Sequence, residues 1–420
     1  MMIIYETLFT ILFIILFPAL FLFPRIRNTI FDRLYIFKKE KGTISSIWFH
    51  GASAGDILSI KPVIEFFYNR YKRDYGILIS SNTESGRDIV RKFFPSDIKF
   101  AYLPFDLSFS INRFLEAYKP VVLFVEASEF WPILVHRLSK NGIKIILING
   151  NIKKESLLFY KILAYLTSNM FGKYTMMIVR NEESANMARL LGVDEKKILV
   201  CTNTKYKSVI DMQRKDIHQN LRLRFQNIGR VVVFGSIHYE EEDDVIYVVE
   251  RLVSEFDDIK IIVAPRHLER KEHMRKKLRM INTPREIIVS YFTDEHSDFD
   301  IMIVDTIGDL FYLYSFASVA FVGGSLCDRG GHNVLEPAAW GVPVLTGRNV
   351  RNYEDIVKTL LGFGLILVNN REELFATMSE ILRNDLHRKR LSDLISSKVL
   401  ELEKEFSKVE SILEQVSSIS

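Results

Sequence analysis

The hydrophobic residues of this chain fall into short runs that alternate with longer stretches of helical spacing. The runs are rich in Val, Ile and Phe, which favour β-strands, and the stretches between them favour amphipathic helices. Strands that alternate with helices along a chain form parallel sheets covered by helices, which is an α/β fold. We predict a first set of strands at residues 45–50, 75–80, 121–127, 144–150 and 176–181, and a second set at 230–236, 259–265, 299–305, 318–325 and 342–347.

A polar stretch over residues 211–227 separates the two sets of strands. Because the strand pattern restarts after it, the sequence predicts two Rossmann-like halves facing an active cleft at the C-terminal ends of their strands. A chain of 420 residues is also too long for one core, which stops growing at about 250 to 300 residues. We expect Rossmann-like domains at 28–210 and 211–384, and a helical segment at 385–420 that crosses back toward the first domain.

The N-terminus carries an uncharged apolar segment over residues 7–24 (TLFTILFIILFPALFLFP), close to the roughly 20 residues that cross a bilayer. A cleaved signal peptide has positive charge before its apolar run, whereas Glu6 precedes this one. We therefore expect residues 1–27 to form a single-pass membrane anchor. Basic residues just after a span stay on the cytoplasmic side, so the remaining chain is expected in the cytoplasm. These residues are Arg25, Arg27, Arg33, Lys38, Lys39 and Lys41.

A second segment mixes lysines with apolar residues at helical spacing. It begins at Lys153, ends at Tyr174 and reads KKESLLFYKILAYLTSNMFGKY. One interpretation is a helix buried against the first sheet. The other is an interfacial helix that seats the domain on anionic lipid.

Charge and cysteine content narrow the class of protein. The net charge of +4 lacks the concentrated basic excess of a nucleic-acid-binding protein and fits anionic substrates or an anionic membrane. The two cysteines, Cys201 and Cys327, lack the CxxC spacing of a metal or redox site, and the nine histidines are scattered. We predict no metal site and no cofactor.

The stretch 322–343 (VGGSLCDRGGHNVLEPAAWGVP) contains the strongest candidate for a ligand site. Gly323 and Gly324 follow a strand and let the backbone approach a ligand closely. Gly330, Gly331, His332 and Asn333 then lead into a predicted helix, whose free N–H groups suit a phosphate. Asn333 and Glu336 also have the spacing of a capping box, so Asn333 is expected as a cap, while Glu336 can instead bind ribose hydroxyls.

Polar residues follow several other strands. Arg266, in APRH, suits a phosphate or carboxylate through forked hydrogen bonds, the alternative being a surface salt bridge. In the first half, WFHGASAGD runs from a strand into a helix, and Asp56 lies in its first turn. Asp56 is a candidate general base, although such a residue often serves only the helix dipole. Further candidates at strand ends are Ser236, His238 and Asn352 for the ligand of the second half, and Ser53 and Lys205 for an acceptor or a phosphate.

These motifs resemble the 3-deoxy-D-manno-octulosonic acid (Kdo) transferases of lipopolysaccharide synthesis. The resemblance rests in the second half on GGSLCDRGGHNVLEPAAWGVPVLTG, DTIGDLFYLY and APRH. In the first half it rests on WFHGASAGD, SSNTESGR, YLPFD and EFWP. It spans nearly the whole chain, the apolar N-terminus included.

The resemblance implies a GT-B fold, with two Rossmann-like domains facing a cleft, anchored on the cytoplasmic side of the inner membrane. It implies an inverting glycosyltransferase that moves Kdo from CMP-Kdo to a lipid A precursor without a metal. Arg266, the loop 330–333, Glu336 and Asn352 would hold CMP and the sugar carboxylate. Asp56 would deprotonate the acceptor hydroxyl, and Glu129, in EFWP, is a second catalytic candidate.

Departures from the family pattern lie mostly on the acceptor side. Asp56 stands where the family usually has Glu, one methylene longer. The usual Glu-Thr-Glu before Trp-Pro is Ala127-Ser128-Glu129 here, with Glu126 one place earlier and expected on the opposite face of the strand. The other departures are Asn151 for an Arg, Ile237 for a Thr and Tyr239 for a Glu.

Two rival functions stay open at this point. One is a GT-B transferase or epimerase that uses a UDP-sugar. The other is a membrane-anchored pseudoenzyme that binds nucleotide without catalysis, which the altered acceptor-side acids would suit.

Overall fold

The computed structural model describes residues 1–22, 27–36, 44–127, 129–213, 219–225, 228–294 and 298–417. The basic positions Arg25, Lys38, Lys39 and Lys41, and Ser128 before the Trp-Pro motif, lie outside these residues. Two compact units divide the chain. The first unit is Met1–Ser208 with Lys404–Ser420, and the second unit is Val209–Glu403.

The first unit is built on seven parallel strands in the order β3-β2-β1-β4-β5-β6-β7. The strands are β1 (Ser46–His50), β2 (Gly76–Ser81), β3 (Lys99–Tyr102), β4 (Pro120–Glu126), β5 (Lys144–Gly150), β6 (Met176–Val179) and β7 (Ile198–Val200). The helices are α1 (Met2–Leu20), α2 (Ile30–Leu34), α3 (Ala54–Ser59), α4 (Lys61–Tyr71), α5 (Glu84–Phe93), α6 (Ser108–Tyr118), α7 (Pro132–Lys140), α8 (Leu157–Leu166), α9 (Glu182–Leu190) and α10 (Lys205–Gln213), which contains the boundary to the second unit.

The second unit also has seven parallel strands, in the order β10-β11-β9-β8-β12-β13-β14. The strands are β8 (Arg230–Ile237), β9 (Ile259–Pro265), β10 (Val289–Tyr291), β11 (Ile301–Ile303), β12 (Val319–Val322), β13 (Val344–Thr346) and β14 (Leu365–Leu367). The helices are α11 (Gln219–Arg224), α12 (Glu242–Glu255), α13 (Lys271–Arg279), α14 (Leu310–Leu313), α15 (Leu335–Ala339), α16 (Glu354–Leu360), α17 (Arg371–Arg383) and α18 (Asp385–Ser417). Short 3₁₀ turns occur at Lys154–Ser156, Met170–Lys173, Glu195–Lys197, Leu268–Arg270 and Tyr314–Phe316.

Both sheets follow from the continuous apolar runs of their central strands. Every residue of β1 is buried, and Trp48 and Phe49, which point to opposite faces, are both 0% exposed. A strand that is apolar on both faces needs helices on both sides, which the chain supplies between successive strands. The predicted α/β fold with two Rossmann-like halves is confirmed.

The order of each sheet creates a point where the direction of winding reverses. In the first unit this point lies between β1 and β4, and in the second between β8 and β12. Ligands of open parallel sheets bind at the C-terminal ends of the strands beside such a point. The loops after His50 and Glu126, and those after Ile237 and Val322, therefore hold the best positions for function.

One face of α1 packs along the first unit. Phe9, Phe13 and Phe17 share this face, and the ring centroids of Phe13 and Phe105 are 5.1 Å apart. Glu6 on the same helix pairs with Arg137 at 3.1 Å. The opposite face is exposed and apolar; Ile3, Leu8 and Ile15 on it are 80, 62 and 67% exposed. By length and composition alone, α1 could cross a membrane.

The 33-residue helix α18 contains the other boundary between the units, between Glu403 and Lys404. Its C-terminal part belongs to the first unit. There Glu405 accepts the N–H of Thr202 at 2.9 Å, and Tyr71 donates to Glu414 at 2.6 Å. These contacts attach the end of the chain to the first unit.

Candidate active site

The loop between β1 and α3 fixes Asp56 at the end of β1. The Asp56 carboxylate accepts the backbone N–H of Ser53 at 2.9 Å and the Ser53 hydroxyl at 2.7 Å, as the partner of a capping box. Gly51 is required because a Cβ there would lie 2.8 Å from the nitrogen of Ile57. Asp56 thus stabilises the start of α3 and stays half-buried at the edge of the sheet.

Glu126, the last residue of β4, lies beside Asp56. Its side chain is 1% exposed, and its Oε1 accepts hydrogen bonds from Ser59 at 3.0 Å and from Arg180 at 3.4 Å. Burial first, and the negative charge of Asp56 second, raise the pKa of Glu126 to about 8. Sequence reasoning missed this residue, because strand alternation was expected to point it away from the site.

The strand β4 ends at Glu126, because Ala127, with a φ of 58°, has left-handed backbone. The alternation of faces therefore does not extend to Ala127 and Glu129. Glu126 itself points toward α3, where Ser59 donates to it at 3.0 Å and the charge of Asp56 acts on it. A glutamate at the end of an apolar strand is itself a signal for a site, since buried carboxyls need specific partners.

A polar network joins Glu126 to the loop after β7. Asn149, at the end of β5, donates to the hydroxyl of Thr204 at 2.9 Å and accepts the N–H of Thr204 at 2.8 Å. Asn203 accepts the N–H of Lys205 at 3.0 Å, which begins α10. The predicted contact residue Lys205 is thus held at the same sheet edge as Glu126.

Glu129, the second catalytic candidate, lies in a different set of contacts. It accepts the indole N–H of Trp131 at 3.0 Å and lies 3.8 Å from Nε2 of His50. Burial works against its charge, but the neighbouring His50, Trp131 and Asn82 side chains together outweigh burial and lower the pKa of Glu129. Glu129 is therefore held as a carboxylate.

A groove opens next to Glu129. Its volume is about 310 Å³, and it is lined by parts of α1, α8 and the segment before α7. The lining residues include Tyr5, Phe9, Trp131, Phe159 and Tyr160. The groove is thus largely aromatic, with two carboxyl groups, Asp106 and Glu129, at its wall.

In the second unit, Glu241 organises the glycine loop after β12. Its carboxylate is 1% exposed and accepts the N–H groups of His238, at 3.0 Å, and of Gly324. A Cβ on Gly323 would lie 2.9 Å from the carbonyl oxygen of Ser236, so only glycine fits. Sequence reasoning missed Glu241, because it lies in an acidic run that is typical of an exposed helix start.

Two predicted histidines meet beside this loop. The Nε2 atoms of His238 and His332 are 3.0 Å apart, and the two rings stack with centroids 5.1 Å apart. Burial, with the charge of Arg266 next, lowers the pKa of His332 to about 4, and burial also lowers the pKa of His238. Both rings are therefore neutral near pH 7, and one donates a hydrogen bond to the other.

Arg266 and Glu336 lie close to His332. The Arg266 side chain is exposed and forms no salt bridge with any residue that the structure describes, so the alternative of a surface salt bridge has no partner there. Burial raises the pKa of Glu336 to about 7, although Asn333 donates to it at 3.4 Å. A cation and a partly protonated acid thus flank the stacked histidines.

The remaining predicted residues shape the loop itself. The helix α15 has only five residues and begins at Leu335 with Val334 as its N-cap. The expectation that Asn333 is the cap was wrong by one position, although its side chain accepts the N–H of Leu335 at 3.2 Å. Asn352 donates to the carbonyl of Arg329 at 3.0 Å. Gly330 and Gly331, with φ of 84° and 73°, form the turn that Asn352 closes.

Ser236 also has left-handed backbone, with a φ of 59° at the end of β8. The structure thus brings Ser236, His238, Gly323, Gly324, Gly330, Gly331, His332, Asn333, Glu336, Asn352 and Arg266 together in the second unit. It places Ser53, Asp56, Lys205 and Glu129 in the first. Among the described residues, no group of His, Cys, Asp or Glu has the arrangement of a metal site.

Comparison with known proteins identifies the family. Residues 28–208 match the family described as 3-deoxy-D-manno-octulosonic-acid transferase (kdotransferase). The 3-deoxy-D-manno-octulosonic acid transferase of Chlamydophila psittaci is 31% identical over 335 residues, which cover 78% of this chain and 76% of that protein. The chain belongs to the Kdo transferase family.

Other Kdo transferases agree with this assignment. The Aquifex aeolicus protein is 30% identical over 351 residues, which cover 82% of this chain and 89% of that protein. The Haemophilus influenzae protein is 27% identical over 342 residues, which cover 80% of this chain and 79% of that protein.

The fold also has counterparts among solved structures, at 14% sequence identity. A glycosyltransferase from Rickettsia africae has a TM-score of 0.56, covering 90% of this Kdo transferase and 100% of that chain. A putative UDP-N-acetylglucosamine 2-epimerase from Listeria monocytogenes has a TM-score of 0.57, and the match covers 89% of this chain and 98% of that chain. The predicted GT-B fold is confirmed.

Proposed function

We propose that this protein transfers Kdo from CMP-Kdo to a lipid A precursor in lipopolysaccharide biosynthesis, with inversion at the anomeric carbon. The observation that carries the proposal is 31% identity to a Kdo transferase over 78% of the chain. In the reaction, a hydroxyl oxygen of the acceptor attacks the anomeric carbon as the bond to the CMP phosphate oxygen breaks. The hydroxyl proton passes to a base, and CMP leaves.

The donor is proposed to bind in the second unit. Its phosphate and its sugar carboxylate are both anions, and the exposed guanidinium of Arg266 matches either through forked hydrogen bonds. The neutral His238 and His332 supply a ring N–H without requiring a counter-ion. Glu336, with a pKa raised to about 7, can donate or accept a hydrogen bond with a ribose hydroxyl near neutral pH. The glycine loop lets the donor approach the backbone.

Asp56 is proposed as the base that deprotonates the acceptor hydroxyl. Its two contacts with Ser53 fix the direction of the carboxylate, which matters because misplacing a catalytic group by about 1 Å can reduce the rate about 100-fold. Ser53 and Lys205 are proposed to contact acceptor or phosphate groups beside it. Glu129 is proposed to contact the acceptor at the wall of the aromatic groove.

The acceptor side is proposed to lie against the cytoplasmic face of the inner membrane. α1 supplies a long apolar exposed face, and α8 supplies another, with Leu158 72% exposed and Tyr165 75% exposed. Lys153, Lys154 and Lys161 lie on or beside α8 and suit anionic headgroups. The single-pass topology of α1 stays a prediction, whereas attachment through its exposed face needs no change in its contacts with the first unit.

The donor assignment is tested by thermal unfolding of the purified full chain with CMP and with UDP. A ligand at about 100 times its dissociation constant raises the free energy of unfolding by about 2.7 kcal/mol. We expect CMP to stabilise the wild type and to stabilise Arg266→Lys less, because Lys lacks the forked donor geometry. Arg383→Lys is the control, since Arg383 is exposed and paired with Glu255 at 2.9 Å. Stabilisation by UDP alone would instead support the UDP-sugar alternative.

Transfer itself is tested by mass spectrometry of a lipid A precursor incubated with the protein and freshly made CMP-Kdo. We expect the mass of the precursor to increase by the mass of one or more Kdo residues. An unchanged precursor, together with stabilisation by CMP, would identify a nucleotide-binding pseudoenzyme.

A further inference from the structure

One of the two oxygens of the buried Glu126 carboxyl group accepts no hydrogen bond from any described residue. Oε1 accepts from Ser59 at 3.0 Å, from Arg180 at 3.4 Å and from Asn149 at 3.5 Å. Oε2 is buried and has no hydrogen-bond donor among the described residues. Since a buried acceptor without a donor is costly, Oε2 is the natural site for a proton of its own.

Asp56 and Ser59 lie one turn apart on α3, and the Ser59 hydroxyl donates to Oε1 of Glu126 at 3.0 Å, so the end of β4 faces the side of α3 that carries Asp56. A negative charge nearby disfavours ionisation of a buried carboxyl group, so Glu126 tends to keep a proton. Glu126 is 1% exposed, whereas Asp56 is half-buried. The charged groups that face Glu126 are Asp56, which raises its pKa, and Arg180, which lowers it; burial is the largest cause, and the pKa is about 8.

Ser53 holds the Asp56 carboxylate from the side of the β1–α3 loop, and Glu126 approaches α3 from the side of β4. The oxygen Oδ2 of Asp56 accepts both the N–H and the hydroxyl of Ser53. These bonds hold one end of the carboxylate against the start of α3. A donor on the side of β4 would hold the carboxylate from a second direction and prevent its rotation.

We propose that Glu126 is a positioning residue whose protonated carboxyl donates a hydrogen bond to the Asp56 carboxylate and orients it toward the acceptor hydroxyl. The arrangement offsets the shorter reach of Asp56, since a carboxylate held from two sides keeps one geometry for proton transfer. The inference rests on the proposed role of Asp56 as the base. It assigns to Glu126 a part in the reaction that the departures from the family pattern did not indicate.

The first test compares Glu126→Gln with Glu126→Ala in the Kdo transfer assay. Gln keeps a donor of similar shape, so kcat is expected to stay within a few-fold of the wild type at pH 7. Ala removes the donor, so kcat is expected to fall about 100-fold with little change in the KM for CMP-Kdo. Equal kcat for wild type and Glu126→Ala would overturn the proposal. Thermal unfolding of each variant checks folding, and the isosteric Gln variant keeps the comparison usable if the Ala variant is unstable.

The pH profile separates positioning from a merely structural role. The kcat of the wild type is expected to fall above about pH 8, as Glu126 ionises and repels Asp56. Glu126→Gln is expected to lack this fall, because its amide does not ionise. Glu242→Gln is the matched control, since Glu242 is also 1% exposed but pairs with Arg270 in the second unit at 2.7 Å. The control should keep the wild-type profile, and an unchanged alkaline fall in Glu126→Gln would contradict the proposal.

A readout without turnover distinguishes failure of this inference from failure of the proposed function. If the wild type transfers no Kdo, the base assignment falls but the carboxyl pair can still be measured. Infrared difference spectra of the wild type against Glu126→Gln at pH 7 are expected to show the carbonyl band of a protonated carboxylic acid, present only in the wild type. Absence of that difference would show that Glu126 is ionised and would overturn the inference.

Discussion

Three residues that are not glycine adopt left-handed backbone at the C-terminal ends of central strands. Ala127 directly follows β4 and Asn149 is the second-last residue of β5 in the first unit, and Ser236 is the second-last residue of β8 in the second unit, with φ of 58°, 54° and 59°. Such conformations are uncommon outside glycine and collect at functional sites, where surrounding contacts compensate for the strain. All three lie beside polar side chains of the candidate site, as Ala127 lies next to Glu126.

Asp56 has a structural role in its capping box besides its proposed chemical role. Replacing Asp56 with Asn keeps an oxygen that can accept the Ser53 N–H but removes the base, so the loss of a general base is expected to reduce kcat by about 100- to 10,000-fold. The melting temperature should change little.

The matched control for Asp56→Asn is Ser53→Ala. It removes the hydroxyl contact, should cost about 1 kcal/mol of stability and should reduce kcat less than Asp56→Asn does. Turnover of Asp56→Asn at the wild-type rate would remove Asp56 from the mechanism.

Glu126 should make the stability of the wild type fall as pH rises. Its pKa is about 8 in the folded protein and 4.5 in the unfolded chain. Below pH 4.5 Glu126 is protonated in both the folded and the unfolded state, so it adds no pH dependence to the free energy of unfolding. Between these values folding must take up a proton, so the free energy of unfolding decreases with rising pH until about pH 8.

Urea unfolding at pH 5 and pH 8 measures this effect as the difference between the wild type and Glu126→Gln. The difference isolates Glu126 from Asp106 and Glu336, whose pKa values are both raised to about 7. Between pH 5 and pH 8, we expect the free energy of unfolding of the wild type to decrease by a few kcal/mol more than that of the variant, because the pKa of Glu126 rises from 4.5 in the unfolded chain to about 8 in the folded protein. Equal losses would mean that Glu126 is ionised throughout.

The strands that sequence analysis missed are the outermost ones. β3, β7, β10 and β14 form the four edges of the two sheets, and none is longer than four residues. An edge strand is short and partly solvated, so its apolar run is too brief to stand out, whereas the central strands are buried on both faces. The predicted end of β6 at 181 was also wrong, because Asn181 caps α9 by accepting the N–H of Ser184 at 2.9 Å.

The helix α8 supports parts of both predictions made for residues 153–174. Tyr160 and Leu163 pack on the core of the first unit, as the buried-helix interpretation expects. Leu158, Phe159 and Tyr165 are 72, 63 and 75% exposed, which suits an interfacial helix. The helix is therefore two-sided, and the membrane role depends only on its outer face.

A double substitution, Leu158→Glu with Phe159→Glu, tests this outer face. It adds charge to exposed positions, so folding should be retained while binding to vesicles of anionic phospholipid falls about tenfold or more. Co-sedimentation with the vesicles measures the change. The control is Leu386→Glu, which alters a residue that is 82% exposed at the start of α18. Equal sedimentation of the double variant and the wild type would exclude α8 from the membrane contact.

At the scale of the whole molecule, the two units repeat one plan. Each has a seven-stranded parallel sheet with polar groups at the point where the winding reverses. Arg266 and the stacked histidines, proposed to bind the donor, lie in the second unit, and Asp56, proposed as the base, lies in the first with Glu126 and Glu129. The departures from the family pattern fall mainly in the first unit. There Glu126 lies near Asp56, which is one methylene shorter than the Glu usual in the family.

The last part of α18 is expected to be essential to the first unit. Leu413 is 0% exposed there, so Leu413→Ala should reduce the free energy of unfolding by about 2 to 5 kcal/mol. Leu400→Ala on the same helix is the control, because Leu400 is 56% exposed and its loss should cost little. Urea unfolding measures both. A similar loss for the two variants would mean that this end of the helix does not contribute to the core.

The sequence by itself determined the α/β class, the two halves, the central strands and most of the proposed donor site. Apolar runs and glycine-rich loops act locally, so the chain carries them in readable form. Only the tertiary structure decided that Glu126 meets Asp56, that Glu241 holds the glycine loop and that His238 stacks on His332. Those contacts join residues from different strand ends, and a residue pattern along the chain does not specify which strand ends meet.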